Sequence, residues 1–400
     1  MKNQSTIWKY YLFNFLRDFG FFSAVLVPFF TRWGGISMTQ VQLLQSWFML
    51  WIFILEIPTG AIADYFGRKH SLCLGAIAMA SGALLYGSIP KFGIFLLAEA
   101  IYAIGVALIS GADSALLFDS LKERGRESES NKIFGKAHSF NLLGILVAAP
   151  IGGLIATKFG LNYPTILSSI PFLFAAIVAF TIKEPKIYQD VSESTRYLDV
   201  IKTGFSYFRH HKILRMLALD AIIVSSAAYF VIWLYQPIFM SLKMPIVYFG
   251  LFHALLVASE ILVASNFSFL EKIFGSSEKY LKFSAIITGI SFMVTAIFPN
   301  IVTGILFIII AGGFGLTRLE LMTSHMNQFI PSSKRATILS SISMFRRFAL
   351  VLLNPFIGFT TDHSLRLALL LVGLLPFTIF LFPKAKIALE ELSDPPAYLF

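Results

Sequence analysis

Residues 93–118 read GIFLLAEAIYAIGVALISGADSALLF, an apolar run that is long enough to cross a lipid bilayer. A hydrocarbon core of about 30 Å needs roughly 20 residues of α-helix. Only two acidic residues, Glu99 and Asp113, interrupt the run, which contains neither proline nor a basic residue. The stretch therefore predicts a transmembrane helix that carries charge inside the membrane.

Eleven further apolar runs flank this stretch, separated by charges, prolines or glycines. The 400-residue chain is 56% hydrophobic and 14% charged, whereas a soluble domain carries about 25% charged residues. The mean hydropathy is +0.75. We predict an all-α membrane protein of twelve transmembrane helices in two pseudo-symmetric six-helix bundles. Spans 1 to 12 are placed at residues 7–30, 41–63, 71–89, 93–118, 133–157, 162–182, 213–240, 246–270, 280–298, 301–328, 335–359 and 364–382.

The distribution of basic residues predicts how the chain is oriented in the membrane. Most of the 32 lysines and arginines, which set the formal charge of +10, fall in loops on the side of the N-terminus. Because such loops are favoured in the cytoplasm, we expect both termini there, in a multi-pass protein of the plasma membrane or of a Gram-negative inner membrane. The net charge is then mostly a signal of topology, so we expect the lipid bilayer as a partner and no nucleic acid.

One long polar segment divides the chain. We predict an N-terminal bundle at 1–182, a cytoplasmic linker with an interfacial helix at 183–212, a C-terminal bundle at 213–383 and a cytoplasmic tail at 384–400. A weak repeat supports the two halves, because Pro150 and Pro355 are 205 residues apart and Asp113 and Arg318 share the same offset. Two matches at one offset favour duplication.

The loop between spans 2 and 3 carries the most informative motif, GAIADYFGRK at residues 60–69. It resembles the G-x-x-x-D-x-x-G-R-K/R signature of the major facilitator superfamily, in the cytoplasmic loop where that family carries it. The resemblance implies that family's twelve-helix fold, secondary transport, and a gate-side charge cluster with an acid at the inner end of span 4. The gating residues are then Gly60, Asp64, Gly67, Arg68, Lys69 and Asp119.

Span 5 is similar to the G-P-x-G-G element of the drug:proton antiporter-like branch, with Ala149 in place of the first glycine. This resemblance implies close helix packing through Pro150, Gly152 and Gly153, and it favours export. Span 4 departs from the branch, because Glu99 stands near the place where many of those antiporters carry an arginine implicated in proton transfer. The branch's usual proton mechanism is therefore in doubt for this chain.

Charged residues inside the spans are the candidate functional residues, because each costs on the order of 3 kcal/mol at the centre of a membrane helix. Seven acids stand against four arginines, so not every carboxylate has its own base. Burial without a partner favours the protonated form of a carboxyl group, as proton coupling requires. The proton-coupling candidates are Asp18, our first choice, then Asp113, with Glu99, Asp220 and Glu260.

Polar faces on the same helices predict a substrate cavity. Tyr11, Asn14 and Asp18 recur along one side of span 1, for example, at helical spacing. For any single charge, the alternative interpretation is a buried ion pair that holds helices together. The cavity candidates are Tyr11, Asn14, Arg17, Tyr102, Trp233, Arg318, Glu320, Arg346 and Arg347.

The predicted function is secondary active transport, with proton-coupled export of a small organic or amphipathic molecule by alternating access, in a monomer without cofactor or metal. One alternative is an importer or uniporter of an anionic metabolite that uses the intramembrane arginines. Another is a non-transporting receptor on the same fold. We predict no enzyme, because the sequence has no phosphate loop, no H-E-x-x-H helix and no extramembrane domain large enough for an active site.

Overall fold

The computed structural model describes residues 4–123, 125–185, 211–326, 330 and 335–381, and every element in these ranges is helical. Ten helices among them are long and apolar enough to cross a membrane. Span 3, Arg68–Tyr86, is long enough but falls outside these ten, and the apolar helix of span 12 is shorter. The predicted all-α membrane fold is confirmed. The predicted linker helix and C-terminal tail lie outside the described residues.

Most of the twelve spans form single helices, whereas spans 1, 7, 10 and 12 change geometry along their length. Spans 2 to 6 are Met38–Phe66, Arg68–Tyr86, Phe92–Lys122, Ser130–Phe159 and Tyr163–Phe180. Spans 8, 9 and 11 are Val247–Ser265, Ser277–Ile297 and Arg335–His363, and a short helix, Phe267–Phe274, follows span 8.

Span 1 starts as Gln4–Arg17 and continues through 3-10 and π segments to Trp33. Span 7 is Lys212–Tyr229 followed by Val231–Ser241, and span 12 is Leu365–Leu374 followed by the 3-10 segment Leu375–Leu381. Span 10 runs from Ile301–Ile310 through the π segment Ala311–Leu316 to Arg318–Met326. Such irregular turns are frequent at functional sites. The regular helix before those of span 1 ends at Arg17, and the regular helix after that of span 10 begins at Arg318.

The chain forms two compact units. Unit 1 comprises Met1–Ser194, Lys243–Val257 and Val351–Asp362, and unit 2 comprises Thr195–Leu242, Ala258–Leu350 and His363–Phe400. Spans 8 and 11 therefore contribute to both units. The domain boundaries expected from the sequence, at 182 and 213, stay a prediction.

Small residues bring the helices of unit 1 close together. A methyl group at Gly75 of span 3 would lie 2.7 Å from the carbonyl oxygen of Gly105 in span 4, and one at Gly105 would lie 2.6 Å from that of Gly75. Alanines, among them Ala76 and Ala112, fill the same buried core. Close backbone approach through small residues is how membrane helices gain packing energy. It fixes span 4, which carries Glu99 and Asp113.

Unit 2 has its own core, built from larger side chains. Leu217 of span 7, Tyr280 of span 9 and Met322 of span 10 pack together with Ile338 and Ile342 of span 11. All five are nearly inaccessible to solvent. This core holds spans 7, 9 and 10 around the buried charge of Arg318.

Candidate functional site

One arginine in unit 1 is shared by two carboxylates. Arg17, the last residue of the first helix, donates from Nη1 to Oδ2 of Asp113 at 2.8 Å and from Nε to Oδ2 of Asp18 at 3.3 Å. The three side chains are 19%, 17% and 30% exposed, respectively. Because one guanidinium faces two carboxylates, the group carries a net charge of about −1 when both acids are ionised.

Amides from spans 1 and 5 complete this network. In the orientation that satisfies both ends of its amide, Asn141 accepts from Nη2 of Arg17 at 3.0 Å and donates to Oδ1 of Asn14 at 3.0 Å. Asn14 in turn donates to the carbonyl oxygen of Tyr10 at 2.9 Å. Asn141 was missed by the sequence analysis, although a lone amide inside an apolar span was a usable signal.

The network opens on a cavity of about 370 Å³ within unit 1. Six of its nine lining residues are charged or hydroxylated and three are apolar, a mixture that suits a small amphipathic molecule. Four sequence-predicted residues, Arg17, Asp18, Tyr102 and Asp113, meet there. The lining residues are Arg17, Asp18, Met79, Tyr102, Val106, Ile109, Ser110, Asp113 and Ser114.

Two other candidates of unit 1 lie away from this lining. Tyr11 stacks on Phe140 with ring centroids 5.1 Å apart, inside an apolar cluster. Glu99 is only 6% exposed, and its Oε1 lies 3.5 Å from Nε2 of Gln45 in span 2. Glu99 forms no ion pair with any residue that the structure describes. Within the described part of the chain it is therefore a buried acid without a base, unlike Asp18 and Asp113.

In unit 2, Arg318 and Asp220 form a buried pair. Arg318 is 1% exposed and donates to the Asp220 carboxylate, to Oγ of Ser284 at 2.7 Å and to the carbonyl oxygen of Leu281. These bonds connect spans 7, 9 and 10. A guanidinium that is surrounded in this way has few donors left for a ligand, so the geometry is that of a structural ion pair.

The remaining candidates of unit 2 differ in their surroundings. Arg346 donates from Nε to Oγ of Ser225 at 3.0 Å. Trp233 is buried, and its indole N–H has no hydrogen-bond partner among the described residues. Glu260 and Arg347 each have interaction partners of their own. The side chain of Glu320 lies outside the described residues.

The loop between spans 2 and 3 places Arg68 against the C-terminal end of span 4. Gly67 has a φ of 95°, which favours glycine, and starts the turn. Arg68 then forms an ion pair with Asp119 and donates to the carbonyl oxygen of Ala115 at 2.9 Å. The contact of Arg68 with Asp119 is the one that the family resemblance implies. The side chain of Asp64 lies outside the described residues.

Glu184, a residue that the sequence analysis did not select, caps the same loop. Its carboxylate accepts from the backbone N–H groups of Arg68 at 2.6 Å and Lys69 at 2.9 Å, at the N-terminus of span 3. An acid at a helix N-terminus satisfies free N–H groups and complements the helix dipole. Its sequence position after span 6 gave no hint of this contact, because the two segments are distant in the chain.

Within unit 1, span 11 is fastened to the start of span 2. The Asp362 carboxylate accepts from the backbone N–H of Met38 at 2.8 Å, from that of Thr39 at 2.8 Å and from the Thr39 hydroxyl at 2.5 Å. A methyl group at Gly358 would lie 2.7 Å from the carbonyl oxygen of Met38. We call this contact the Asp362 staple.

The span 5 motif lies at two further close contacts of unit 1. A methyl group at Gly152 would lie 1.9 Å from the carbonyl oxygen of Phe21, and one at Gly153 would lie 2.8 Å from that of Val247 in span 8. Pro150 precedes these glycines inside the same helix. The motif therefore lies where backbones approach each other, rather than in the cavity.

Comparison with known proteins supports the fold. A profile of the Major Facilitator Superfamily matches residues 10–353. An uncharacterized transporter of Buchnera aphidicola subsp. Schizaphis graminum is 28% identical over 169 residues, 41% of this chain and 41% of that protein. The vesicular acetylcholine transporter unc-17 of Caenorhabditis elegans is 26% identical over 157 residues, 38% of this chain and 29% of that protein. The matches thus span less than half the length of these two relatives.

The chain is also similar to solved structures along nearly its whole length. A bacterial homolog of the human lysosomal transporter Spinster, in an inward-facing and unoccupied conformation, has a TM-score of 0.78 at 15% identity. The similarity covers 98% of this chain and 99% of that structure. At this identity the likeness establishes the shared architecture of the helices and leaves the substrate open.

Proposed function

The chain belongs to the major facilitator superfamily, and within this family of membrane transporters we propose that it exports a small organic or amphipathic molecule in exchange for protons. The observation that carries the proposal is the shared arginine of unit 1. When both acids are ionised, the group of Arg17, Asp18 and Asp113 has a net charge of −1. Protonation of one acid makes the net charge of this group zero. A group of this kind can take up and release one proton per cycle.

Asp18 is the acid that we assign to the proton. It is the more exposed carboxylate and its bond to Arg17 is the longer, at 3.3 Å against 2.8 Å for Asp113. Protonation of Asp18 therefore breaks the weaker contact and keeps the stronger one. Glu99, which is buried and forms no ion pair with any described residue, is another candidate for proton transfer.

Two further parts of the proposal rest on sequence patterns. Export is favoured by the span 5 motif, and a cytoplasmic location of both termini is favoured by the distribution of basic residues. The alternative of an anion importer loses two of its four arginines as ligands, because carboxylates already bind Arg17 and Arg318. A receptor without transport has no specific observation in its favour.

Proton coupling can be measured in proteoliposomes loaded with the pH dye pyranine. Benzoate, phenyl phosphate, benzamide and benzylamine are added as small amphipathic probes of each charge class. We expect at least one probe to drive proton movement that Asp18→Asn abolishes, because a carboxamide does not ionise. Glu123→Gln, at an exposed acid beyond the end of span 4, is the matched control and keeps the signal. Unchanged proton movement in Asp18→Asn would contradict the assignment.

A further inference from the structure

Arg346 is a positive charge in span 11 that no described residue of unit 2 neutralises through an ion pair. Its one described hydrogen bond goes to the hydroxyl of Ser225 in span 7, at 3.0 Å. Tyr229, one turn further along span 7, lies close enough to interact electrostatically. Both neighbours are uncharged, and no carboxylate among the described residues forms an ion pair with Arg346. The guanidinium therefore keeps most of its five donors for another partner.

The contrast with Arg318 in the same unit shows that this arrangement is unusual. Arg318 is held by an acid, a hydroxyl and a backbone carbonyl, and it is 1% exposed. Arg346, unlike Arg318, is only partly buried. An uncompensated charge inside a membrane protein is unfavourable, and it persists where an ion or a ligand supplies the missing charge.

The internal repeat supplies a reference for the same position. Arg346 in span 11 and Asn141 in span 5 are 205 residues apart, the offset that separates Pro355 from Pro150. In unit 1 the neutral Asn141 satisfies both ends of its amide on span 1 and Arg17. At the equivalent place in unit 2, the chain has a guanidinium whose one hydrogen-bond partner among the described residues is the Ser225 hydroxyl. Packing at this position is thus compatible with an amide, and the charge of Arg346 calls for a different explanation.

We propose that Arg346 anchors an anion-binding subsite in unit 2, which takes the carboxylate or phosphate group of the transported molecule. A planar guanidinium presents parallel N–H donors that match the oxygens of both groups. The Ser225 hydroxyl orients the Nε edge and leaves the Nη edge for the ligand. This inference rests on the proposed transport function and adds that the substrate is an organic anion or carries an anionic group.

The subsite can be tested by equilibrium binding to the full-length protein in detergent, with thermal unfolding as the readout. Benzoate and phenyl phosphate serve as anionic probes, benzamide as the neutral match and benzylamine as the cationic match. We expect at least one of the anions to raise the unfolding temperature of the wild type saturably, with benzamide and benzylamine far weaker. We expect Arg346→Gln and Arg346→Asn to raise the anion concentration needed for half-maximal stabilisation at least tenfold. Arg346→Lys should raise that concentration less. The anion that responds more strongly separates a carboxylate from a phosphate preference.

The stability of the protein without ligand distinguishes a binding arginine from a structural one. We expect Arg346→Gln to unfold at the wild-type temperature or above it, because it removes a charge that lacks a counter-ion. Arg366→Gln, at an exposed arginine at the start of span 12, keeps the anion response. The inference is overturned if neither anion stabilises better than benzamide, if Arg346→Gln binds as well as the wild type, or if Arg346→Gln lowers the unfolding temperature without ligand.

Failure of this inference and failure of the proposed function give different results. Binding at equilibrium requires no proton movement, so intact anion binding in Asp18→Asn with lost proton flux supports both statements. Proton flux that survives while Arg346→Gln binds anions normally overturns the subsite alone. Anion binding through Arg346 without any proton movement in the wild type overturns proton coupling alone.

Discussion

Arg17 and Arg318 differ in what their surroundings leave them to do. Arg17 forms ion pairs with two carboxylates and lines a cavity. Arg318 is enclosed by one carboxylate, one hydroxyl and one carbonyl oxygen. Both are arginines near an acid in neighbouring helices, and the sequence could place both among the candidates. The two arginines differ in the number and kind of their partners, and these are known only from the fold. The partners of Arg17 form a group that can change its charge, whereas those of Arg318 form a pair that holds helices together.

The buried pair of unit 2 should be essential for stability. Arg318→Leu leaves the Asp220 carboxylate without its counter-ion, and breaking one side of a buried pair costs about 3–5 kcal/mol. We expect thermal unfolding of the detergent-solubilised protein at a clearly lower temperature for Arg318→Leu and for Asp220→Leu. The double variant, which removes both charges, should recover part of the loss. If both single variants unfold like the wild type, the pair does not hold these helices.

The residues that sequence reasoning missed share one property. Asn141 and Glu184 act through contacts to segments that are distant in the chain, with Arg17 for the first and the start of span 3 for the second. Asp18 and Asp113 were found because an acid in an apolar run is conspicuous by itself. Charge within a span is a local signal, while the partner of a charge is not.

At the scale of helices, hydropathy located the spans and missed their internal breaks. Span 2 begins at Met38 rather than near 41, because Ser37 and Gln40 form a capping box, a pattern that was present in the sequence. The π segment of span 10 contains three glycines, which weaken a regular helix. The break of span 7 after Tyr229 has no glycine or proline beside it, so no local signal could predict it.

The Asp362 staple should control access to the contact between spans 2 and 11. Asp362→Ala removes three hydrogen bonds at the N-terminus of span 2, where loss of a cap costs about 1 kcal/mol. Gln42 is buried, so a thiol introduced by Gln42→Cys in a Cys73→Ala background reacts with maleimide only when spans 2 and 11 separate. The rate of labelling therefore reports how often this contact opens. We expect Asp362→Ala to raise that rate severalfold.

Thr361→Ala is the matched control for the staple. Among the described residues, the Thr361 hydroxyl bonds only within its own helix, to the carbonyl oxygen of Ile357 at 2.7 Å. Its removal should therefore leave labelling at Gln42→Cys unchanged. If the labelling rates of Asp362→Ala and Thr361→Ala were equal, the close contact at Gly358 would be enough to keep spans 2 and 11 together without the Asp362 staple.

In the molecule as a whole, each unit has an arginine–aspartate ion pair between two helices, and the helices that carry the acid and the base are exchanged between the units. In unit 1 the arginine is in span 1 and the acid in span 4, whereas in unit 2 the acid is in span 7 and the arginine in span 10. Asp113 and Arg318 are 205 residues apart, and Arg17 and Asp220 are 203 apart. The first and fourth helices of each half are thus joined by one ion pair, and its polarity is exchanged between the halves.

The exchange of polarity predicts that unit 1 can fold with its pair reversed. Arg17→Asp and Asp113→Arg each place two like charges together and should lower the unfolding temperature strongly. The double variant rebuilds an ion pair of the unit 2 type, so it should recover most of the stability in thermal unfolding. Proton movement in proteoliposomes should stay lost, because Asp18 then lies beside a second acid in place of the guanidinium that it shares. A double variant as unstable as the two single ones would show that unit 1 needs its arginine on span 1, and that the likeness of the two pairs reflects their sequence positions alone.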